Sequence, residues 1–337
     1  MIINKKDLLN ALEIVRPGLA NRELIEQSTS FAFMGDRIVT YNDEISISHQ
    51  IEGLDITGAV NATELYNLLS KFKKDEIELT IEKTELRIKC GKAKAGLTLQ
   101  SEIKLPIDDI GEKGKWKKMP DDLLKAMMFV NGATIKDSTR PILTCVHVNK
   151  EGFVEASDAL RISKVMLENM LPIETFLIPS MSVTKIVKMN PVKIADGKGW
   201  VHFKTEEGTT ISCRIFADDN FPDTTPFMKV NGTQITLPES TKEVLDKAMV
   251  FCKRDGLIDE SVDITLENNR LKVASNSESG WFEEEVKIKY IGEKIIFSIP
   301  PYLLKDILSE TLDCTIAKDR LKFSGKNWVY ITVLKNK

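Results

Sequence analysis

The sequence predicts an α+β protein built from three tandem copies of one module, each with two helices on one face of antiparallel sheet. Three observations carry that expectation. A helical apolar stripe occurs three times at similar offsets, a second helix follows later in each copy, and alternating apolar runs follow each second helix.

The first helix is set by Asp7-Leu8-Leu9-Asn10-Ala11-Leu12, repeated as Asp122-Leu123-Leu124-Lys125-Ala126-Met127 and more loosely as Glu243-Val244-Leu245-Asp246-Lys247-Ala248-Met249. Leu8, Ala11, Leu12 and Val15 align with Leu123, Ala126, Met127 and Val130, and with Leu245, Ala248, Met249 and Cys252. The spacing i, i+3, i+4, i+7 puts each set on one buried helical face. Leu8 to Leu123 is 115 residues and Leu123 to Leu245 is 122, each close to a third of 337.

The second helix starts at Asn61-Ala62-Thr63-Glu64-Leu65 in copy one, where the asparagine supplies a polar start. Ile178-Pro179-Ser180-Met181 in copy two and Ile299-Pro300-Pro301-Tyr302 in copy three open with proline, which a first helical turn tolerates because that N–H has no intrahelical partner. Strands come next. Ile77, Leu79 and Ile81 alternate, then Leu86, Ile88 and Cys90, around a turn at 82–85; copy three repeats this with Cys314, Ile316, Leu321 and Phe323. Copy two offers Ile194, Val201, Phe203, Ile211 and Cys213. Charge-, Gly- and Pro-rich stretches at 106–118 and 222–238 read as linkers, giving expected domains 1–116, 117–234 and 235–337.

Composition limits the function. With 42% hydrophobic residues the chain can bury a core, and 47 basic against 50 acidic residues leave a net charge of −3 that by itself points to no polyanion. No apolar run reaches the ~20 residues of a membrane span, and the start has no basic-then-apolar leader. Five scattered cysteines without a C-x-x-C pair suit reduced thiols in a cytoplasmic protein, whether in a bacterial cell or a host cell if the source is viral.

No catalytic motif emerges: the phosphate loop, dinucleotide fingerprint, H-E-x-x-H and G-x-S-x-G patterns are all missing. His49, His147 and His202 read as half-buried strand residues, the cysteines as core, and acidic pairs such as Asp43-Glu44 as solvated surface. No cofactor or metal is expected. The basic residues are more informative. Lys185 and Lys188 stand on the second helix of copy two, Arg22, Arg140 and Arg254 follow the first helices, Lys71, Lys73 and Lys74 close the second helix of copy one, and Lys305 lies on that of copy three. With Lys136 and Lys253 they form a candidate basic set that suits a polyanion.

These residues resemble a known family, the bacterial DNA sliding clamp (the DNA polymerase III beta subunit). Arg140-Pro141-Ile142-Leu143 resembles its R-P-[VI]-L segment, Ala156-Ser157-Asp158-Ala159-Leu160-Arg161-Ile162 its A-T-D-G-H-R-L segment, and Phe221-Pro222-Asp223 its F-P-D. Glu283-Glu284-Glu285, Ile299-Pro300-Pro301-Tyr302 and the terminal strand 329–334 keep the family's order. Ala159-Leu160 departs from the usual Gly-His, and Lys335-Asn336-Lys337 from the usual Pro-Met-Arg-Leu ending; a phage or plasmid relative would fit both departures.

The resemblance implies a ring of six domains closed by two protomers around double-stranded DNA, held without sequence specificity, that tethers a DNA polymerase and is opened by a clamp loader. It implies a peptide pocket at Ser157, Leu160, Arg161, Ile162, Met228, Ile331, Val333 and Leu334, and a homodimer interface at Ala95, Leu97, Leu99, Val250 and Phe251. The alternative is a monomeric clamp-like module that binds polymerase or clamp-loader peptides; an enzyme acting on nucleic acid is the third reading, without a motif to support it.

Overall fold

The computed structural model describes residues 1–108, 110–111, 114–136, 139–216, 220–252 and 260–335. Six α-helices occur among them: α1 (Lys5–Val15), α2 (Ala62–Lys71), α3 (Leu123–Asn131), α4 (Ser180–Met189), α5 (Thr241–Ala248) and α6 (Tyr302–Lys305). The Asn4 side chain accepts the Lys6 amide at the start of α1, and Asn61 accepts the Glu64 amide at the start of α2. Each such cap is worth about 1 kcal/mol.

The expected stripes of α1 and α3 are buried throughout: Leu8, Ala11, Leu12 and Val15, then Leu123, Ala126, Met127 and Val130. The third stripe is shifted. Val244, Leu245, Ala248 and Cys252 are buried but Met249 is only half-buried, because α5 stops at Ala248 and continues as a 3-10 turn, Met249–Phe251. Three residues per turn rotate the next side chain off the helical face. The second helix of copy three is also shorter than expected, one α turn followed by a 3-10 turn at Ile307–Ser309.

Strands β1 (Ile2–Asn4), β2 (Ser30–Gly35), β3 (Arg37–Tyr41), β4 (Ile45–Gln50), β5 (Ile56–Asn61), β6 (Glu76–Glu82), β7 (Glu85–Cys90), β8 (Ala93–Thr98) and β9 (Lys117–Lys118) precede α3. Between α3 and α5 lie β10 (Cys145–Asn149), β11 (Phe153–Ser157), β12 (Arg161–Met166), β13 (Phe176–Pro179), β14 (Lys193–Gly197), β15 (Trp200–Lys204), β16 (Thr210–Arg214) and β17 (Thr233–Thr236). After α5 come β18 (Val262–Glu267), β19 (Arg270–Ser277), β20 (Gly280–Lys287), β21 (Ile295–Ile299), β22 (Asp313–Ile316), β23 (Arg320–Ser324) and β24 (Trp328–Val333).

Two compact units result. The first comprises Met1–Met128, Val148–Glu151 and Asn169–Asp219; the second comprises Phe129–His147, Gly152–Glu168 and Asn220–Lys337. The first holds a four-stranded sheet, β1-β6-β7-β8, and an eight-stranded sheet, β5-β2-β3-β4-β16-β15-β14-β9. Helix α1 packs on β3 and β4, and α2 on β2 and β5. The second holds a sheet β20-β19-β18-β21 and another running β10-β11-β12-β24-β23-β22-β17. Its core joins Val244, Leu245 and Ala248 of α5 to Ile264, Leu271, Phe297, Leu303, Leu321, Phe323 and Tyr330.

Several local expectations need correction. Ile81, expected in a buried row, is 44% exposed, because it lies at the hairpin end beyond the core. The supposed linker 222–238 carries a 3-10 turn at Thr225–Phe227 and strand β17, which pairs with β22 from Thr233↔Ile316 to Thr236↔Asp313. His147 and His202 are buried, whereas His49 is half-buried. All five cysteines are buried, and burial pushes the thiols of Cys213 and Cys314 well above the ordinary range. No helix is long and apolar enough to cross a membrane among the described residues.

Candidate functional site

In the second unit β12 pairs with β24, and the turn that feeds β12 is tightly specified. Asp158 Oδ1 accepts the amides of Leu160 at 3.0 Å and Arg161 at 2.9 Å, while Ala159 between them adopts φ +71°. This is an Asx turn, in which a short side-chain acceptor stands in for a backbone carbonyl. Cross-strand register then aligns Ser157, Ile162, Ile331 and Lys322 in one row across β11, β12, β24 and β23. Directly opposed residues share a face, and this row faces away from the Leu321 and Phe323 core. One row nearer the turn, the Leu160 carbonyl accepts the Val333 amide at 2.9 Å, and Val333 stands opposite Arg320.

The segment 221–228 is fastened on both sides of that strip. Phe221 stacks on His147 with ring centroids 4.9 Å apart, and Thr224 Oγ1 donates to Glu155 Oε2 at 2.6 Å on β11. At the other end Lys322 Nζ on β23 donates to the Met228 carbonyl at 3.2 Å, and the Arg320 guanidinium lies 5.9 Å from the Phe227 ring centre. Between these fastenings Ile162 is half-buried and Val333 is 41% exposed. An apolar strip with polar edges is what holds a short linear segment.

Not every residue expected in this pocket can meet a ligand. Arg161 is 8% exposed and its guanidinium is engaged internally: Nε donates to Asp158 at 3.1 Å, NH1 to the Tyr330 hydroxyl at 3.3 Å, NH2 to the Gly132 carbonyl, and the Tyr302 ring lies 5.4 Å away. Its charge supports the floor instead of facing a ligand. Leu334 and Ile331 are buried, Leu334 within the core and tied by its amide to the Asp319 carbonyl. The Ser157 hydroxyl is spent on the Arg161 carbonyl at 2.9 Å. Leu160, Ile162, Met228 and Val333 remain accessible to different degrees, and Phe227, 47% exposed, joins them. The sequence reading missed Phe227, although it stands beside Met228.

The first unit contains the same backbone plan. Asn42 Oδ1 accepts the amides of Glu44 and Ile45, Asp43 has φ +74°, and β4 pairs with β16. The row equivalent to Ser157, Ile162, Ile331 and Lys322 is Tyr41, Ser46, Ser212 and His202. The Glu44 carbonyl accepts the Arg214 amide at 2.8 Å, so Arg214 occupies the place of Val333. Its guanidinium lies 4.9 Å from the Trp200 ring centre and donates to the Tyr41 hydroxyl at 3.1 Å and to Asp43. Leu105, with Ile103, Ile107 and Ile110, packs onto Ala32, Val39, Tyr41 and Trp200. Among the described residues no strip is left open there.

Among the basic candidates, Arg22, Lys71, Lys73 and Lys74 are exposed in the first unit, as is Lys188 in the last turn of α4. Lys185 is half-buried; burial holds its ammonium below the ordinary lysine range, with the Glu44 charge acting in the opposite direction. In the second unit Lys136 and Arg140 are exposed, while Lys305 is ion-paired to Asp246 at 2.6 Å. Lys253 and Arg254 lie outside the described residues. Helix α4 carries two lysines and no acid, whereas Lys242, Glu243, Asp246 and Lys247 leave α5 neutral. Of the residues expected at a dimer interface, Ala95 and Leu97 are half-buried on the edge strand β8. Leu99 is a correction: at 3% exposure it packs beside Gly58, whose φ of +133° and missing side chain make the room. Val250 is 62% exposed and Phe251 half-buried beside the edge strand β20, where Trp281 stands 73% exposed. No group of three His, Cys, Asp or Glu is placed to hold a metal ion among the described residues.

Neither a protein-family model nor a curated protein sequence matches the chain. Solved structures do. The DNA polymerase sliding clamp of Bacillus subtilis is 21% identical with a TM-score of 0.83, over 100% of this chain and 98% of that one. The DNA polymerase III beta chain of Streptococcus pneumoniae is 19% identical with a TM-score of 0.85, over 100% and 99%. A sliding clamp of Pseudomonas aeruginosa bound to griselimycin is 15% identical with a TM-score of 0.84, again over 100% and 99%. Across its whole length the chain therefore has the fold of the bacterial DNA polymerase III beta subunit.

Proposed function

We propose that the chain is a sliding clamp, a non-enzymatic tether that encircles duplex DNA and holds a polymerase beside it. The supporting observation is the fold likeness over the whole chain, joined by an accessible apolar strip at one of two equivalent junctions. On this reading residues 1–116, 117–234 and 235–337 are three clamp domains, and two copies in the cytoplasm close a six-domain ring. Closure is isologous, β8 with Ala95 and Leu97 of one copy meeting the β20 edge with Val250, Phe251 and Trp281 of the other. Such pairing would use strand edges that otherwise invite aggregation.

Retention on DNA then comes from topology, and the exposed cations Arg22, Lys71, Lys73, Lys74, Lys136, Arg140 and Lys188, with Lys185, make only weak phosphate contacts. The strip beside Phe227, Met228, Ile162 and Val333 receives an apolar peptide of a polymerase or a clamp loader, raising its effective concentration at the DNA.

Light scattering should give about twice 38.0 kDa, and loaded protein should stay on a closed circle and leave when the circle is cut. Equal retention on linear and circular DNA at moderate salt defeats encirclement; a mass of 38.0 kDa favours the monomeric peptide-binding module. Griselimycin, which the Pseudomonas aeruginosa clamp binds, is the probe, and on this reading Val333→Asp should abolish its binding in a protein that still folds.

A further inference from the structure

We propose that Glu155, with His147 and Thr224, is a positioning device for the groove: it fixes the segment that carries Phe227 and Met228. This rests on the groove reading above and adds how one wall of that groove is held. Glu155 stands in the outward row of β11 with its side chain almost fully buried, a costly place for a carboxylate unless donors surround it. It has three. His147 Nδ1 lies 2.9 Å from Oε1, and Thr224 Oγ1 and Lys164 Nζ lie 2.6 and 3.2 Å from Oε2. Burial alone would raise this acid; the bonds to His147 and Thr224 and the nearby Lys164 charge outweigh it and hold Glu155 below the ordinary carboxylate range.

The geometry behind Thr224 shows what the device places. The Phe227 amide donates to the Thr224 carbonyl at 3.0 Å, the Met228 amide to the Thr225 carbonyl at 3.2 Å, and Asp223 Oδ1 accepts the Thr225 amide at 2.9 Å. The Thr224 hydroxyl therefore anchors the near end of a 3-10 turn whose far end, Phe227 and Met228, is met by Arg320 and Lys322. At the first unit's junction the position equivalent to Glu155 is Val39, opposite Ser48 as Glu155 is opposite Lys164. Val39 meets an aliphatic cover, which repels water but has no preferred direction. A carboxylate with three donors has direction, and it holds one end of the segment while leaving the neighbouring strip uncovered.

Thr224→Val keeps the shape and removes the hydroxyl, leaving Glu155 with His147 and Lys164. In the full-length dimer it should weaken griselimycin binding about tenfold, the loss of one hydrogen bond to a charged group, with the melting temperature within a few degrees of the parent. Thr224→Ser should restore parental affinity. Hydrogen exchange of the Phe227 and Met228 amides in the unliganded protein should quicken in Thr224→Val while that of the β18 amides stays the same. Unchanged exchange overturns the positioning role, and so does faster exchange with parental affinity. A parent that fails to bind griselimycin counts against the groove reading alone, because the exchange result still decides whether Thr224 holds the turn.

Discussion

At the β4–β16 junction of the first unit, Val39, Tyr41 and Trp200 meet Leu105 and three isoleucines; at the β12–β24 junction of the second, Glu155 meets Thr224 and the Ser157 hydroxyl donates to the Arg161 carbonyl. The turns that build the two junctions are alike down to the side-chain acceptor and the left-handed residue, Asp43 at φ +74° and Ala159 at φ +71°. Backbone plan alone therefore does not make a site. The difference lies in a few outward positions: Tyr41 against Ser157, Ser46 and Ser212 against Ile162 and Ile331, and Arg214 against Val333. Large aromatic and guanidinium groups seal the first junction, whereas at the second Ser157 and Ile331 are buried but Ile162 and Val333 stay partly accessible.

The largest expected effect comes from removing the polar centre. Glu155→Ala strands His147 and Lys164 without their buried partner and should cost about 3–5 kcal/mol in urea unfolding. In the first unit, Leu105→Ala opens a cavity under an apolar cover and should cost about 2–4 kcal/mol. A loss below about 1 kcal/mol at either site would show that its cover contributes little to holding the junction closed.

The two junctions also differ in their response to acid. Burial lowers His202, despite Asp196 nearby, and its Nε2 has no hydrogen-bond partner among the described residues. Because the folded value lies below the ordinary 6.5, the stability contributed by the neutral ring is complete above that pH. It is lost as pH falls through 6.5 toward the folded value, at no more than about 1.4 kcal/mol per pH unit. His49 is lowered for the same reason. Glu155 is also depressed, and as a carboxylate its contribution persists down to the ordinary 4.5 and disappears below it. The loss tied to His202 should begin near pH 6 and the loss tied to Glu155 near pH 4, and His202→Gln should flatten the earlier slope in a series of melts at stepped pH.

The smallest effect on folding belongs to the most direct exchange between junctions. Val333→Arg writes the first unit's Arg214 into the groove; being half-exposed it should change stability by no more than about 0.5 kcal/mol yet abolish ligand binding. Retained binding would place the ligand elsewhere on the second unit.

The helical stripes were legible because burial of α1 and α3 imposes a period that the chain writes out residue by residue, as Leu8, Ala11, Leu12 and Val15 show. The break in the third copy was not, since a switch from α to 3-10 winding after Ala248 leaves no periodic mark over three residues. Charges misled in a systematic way. Lys185 and Lys305 look like free cations along the chain, but burial of Lys185 and the ion pair of Lys305 with Asp246 arise only in three dimensions. The alternation that places Ile162, Ile331 and Val333 on strands was legible, but not that Ile331 is buried while Ile162 and Val333 stay partly accessible; that, the seal on the equivalent junction and the Glu155 centre depend on cross-strand register, which sequence spacing alone does not supply.

The burial of all five cysteines has a practical consequence. A maleimide meets no native thiolate on the folded surface, because each sulfur is enclosed and two of them are strongly disfavoured as anions. A single cysteine introduced at Phe227 would thus be the fast-reacting one in an otherwise wild-type background, and a dye attached there would report occupancy without stripping the chain of its native sulfurs.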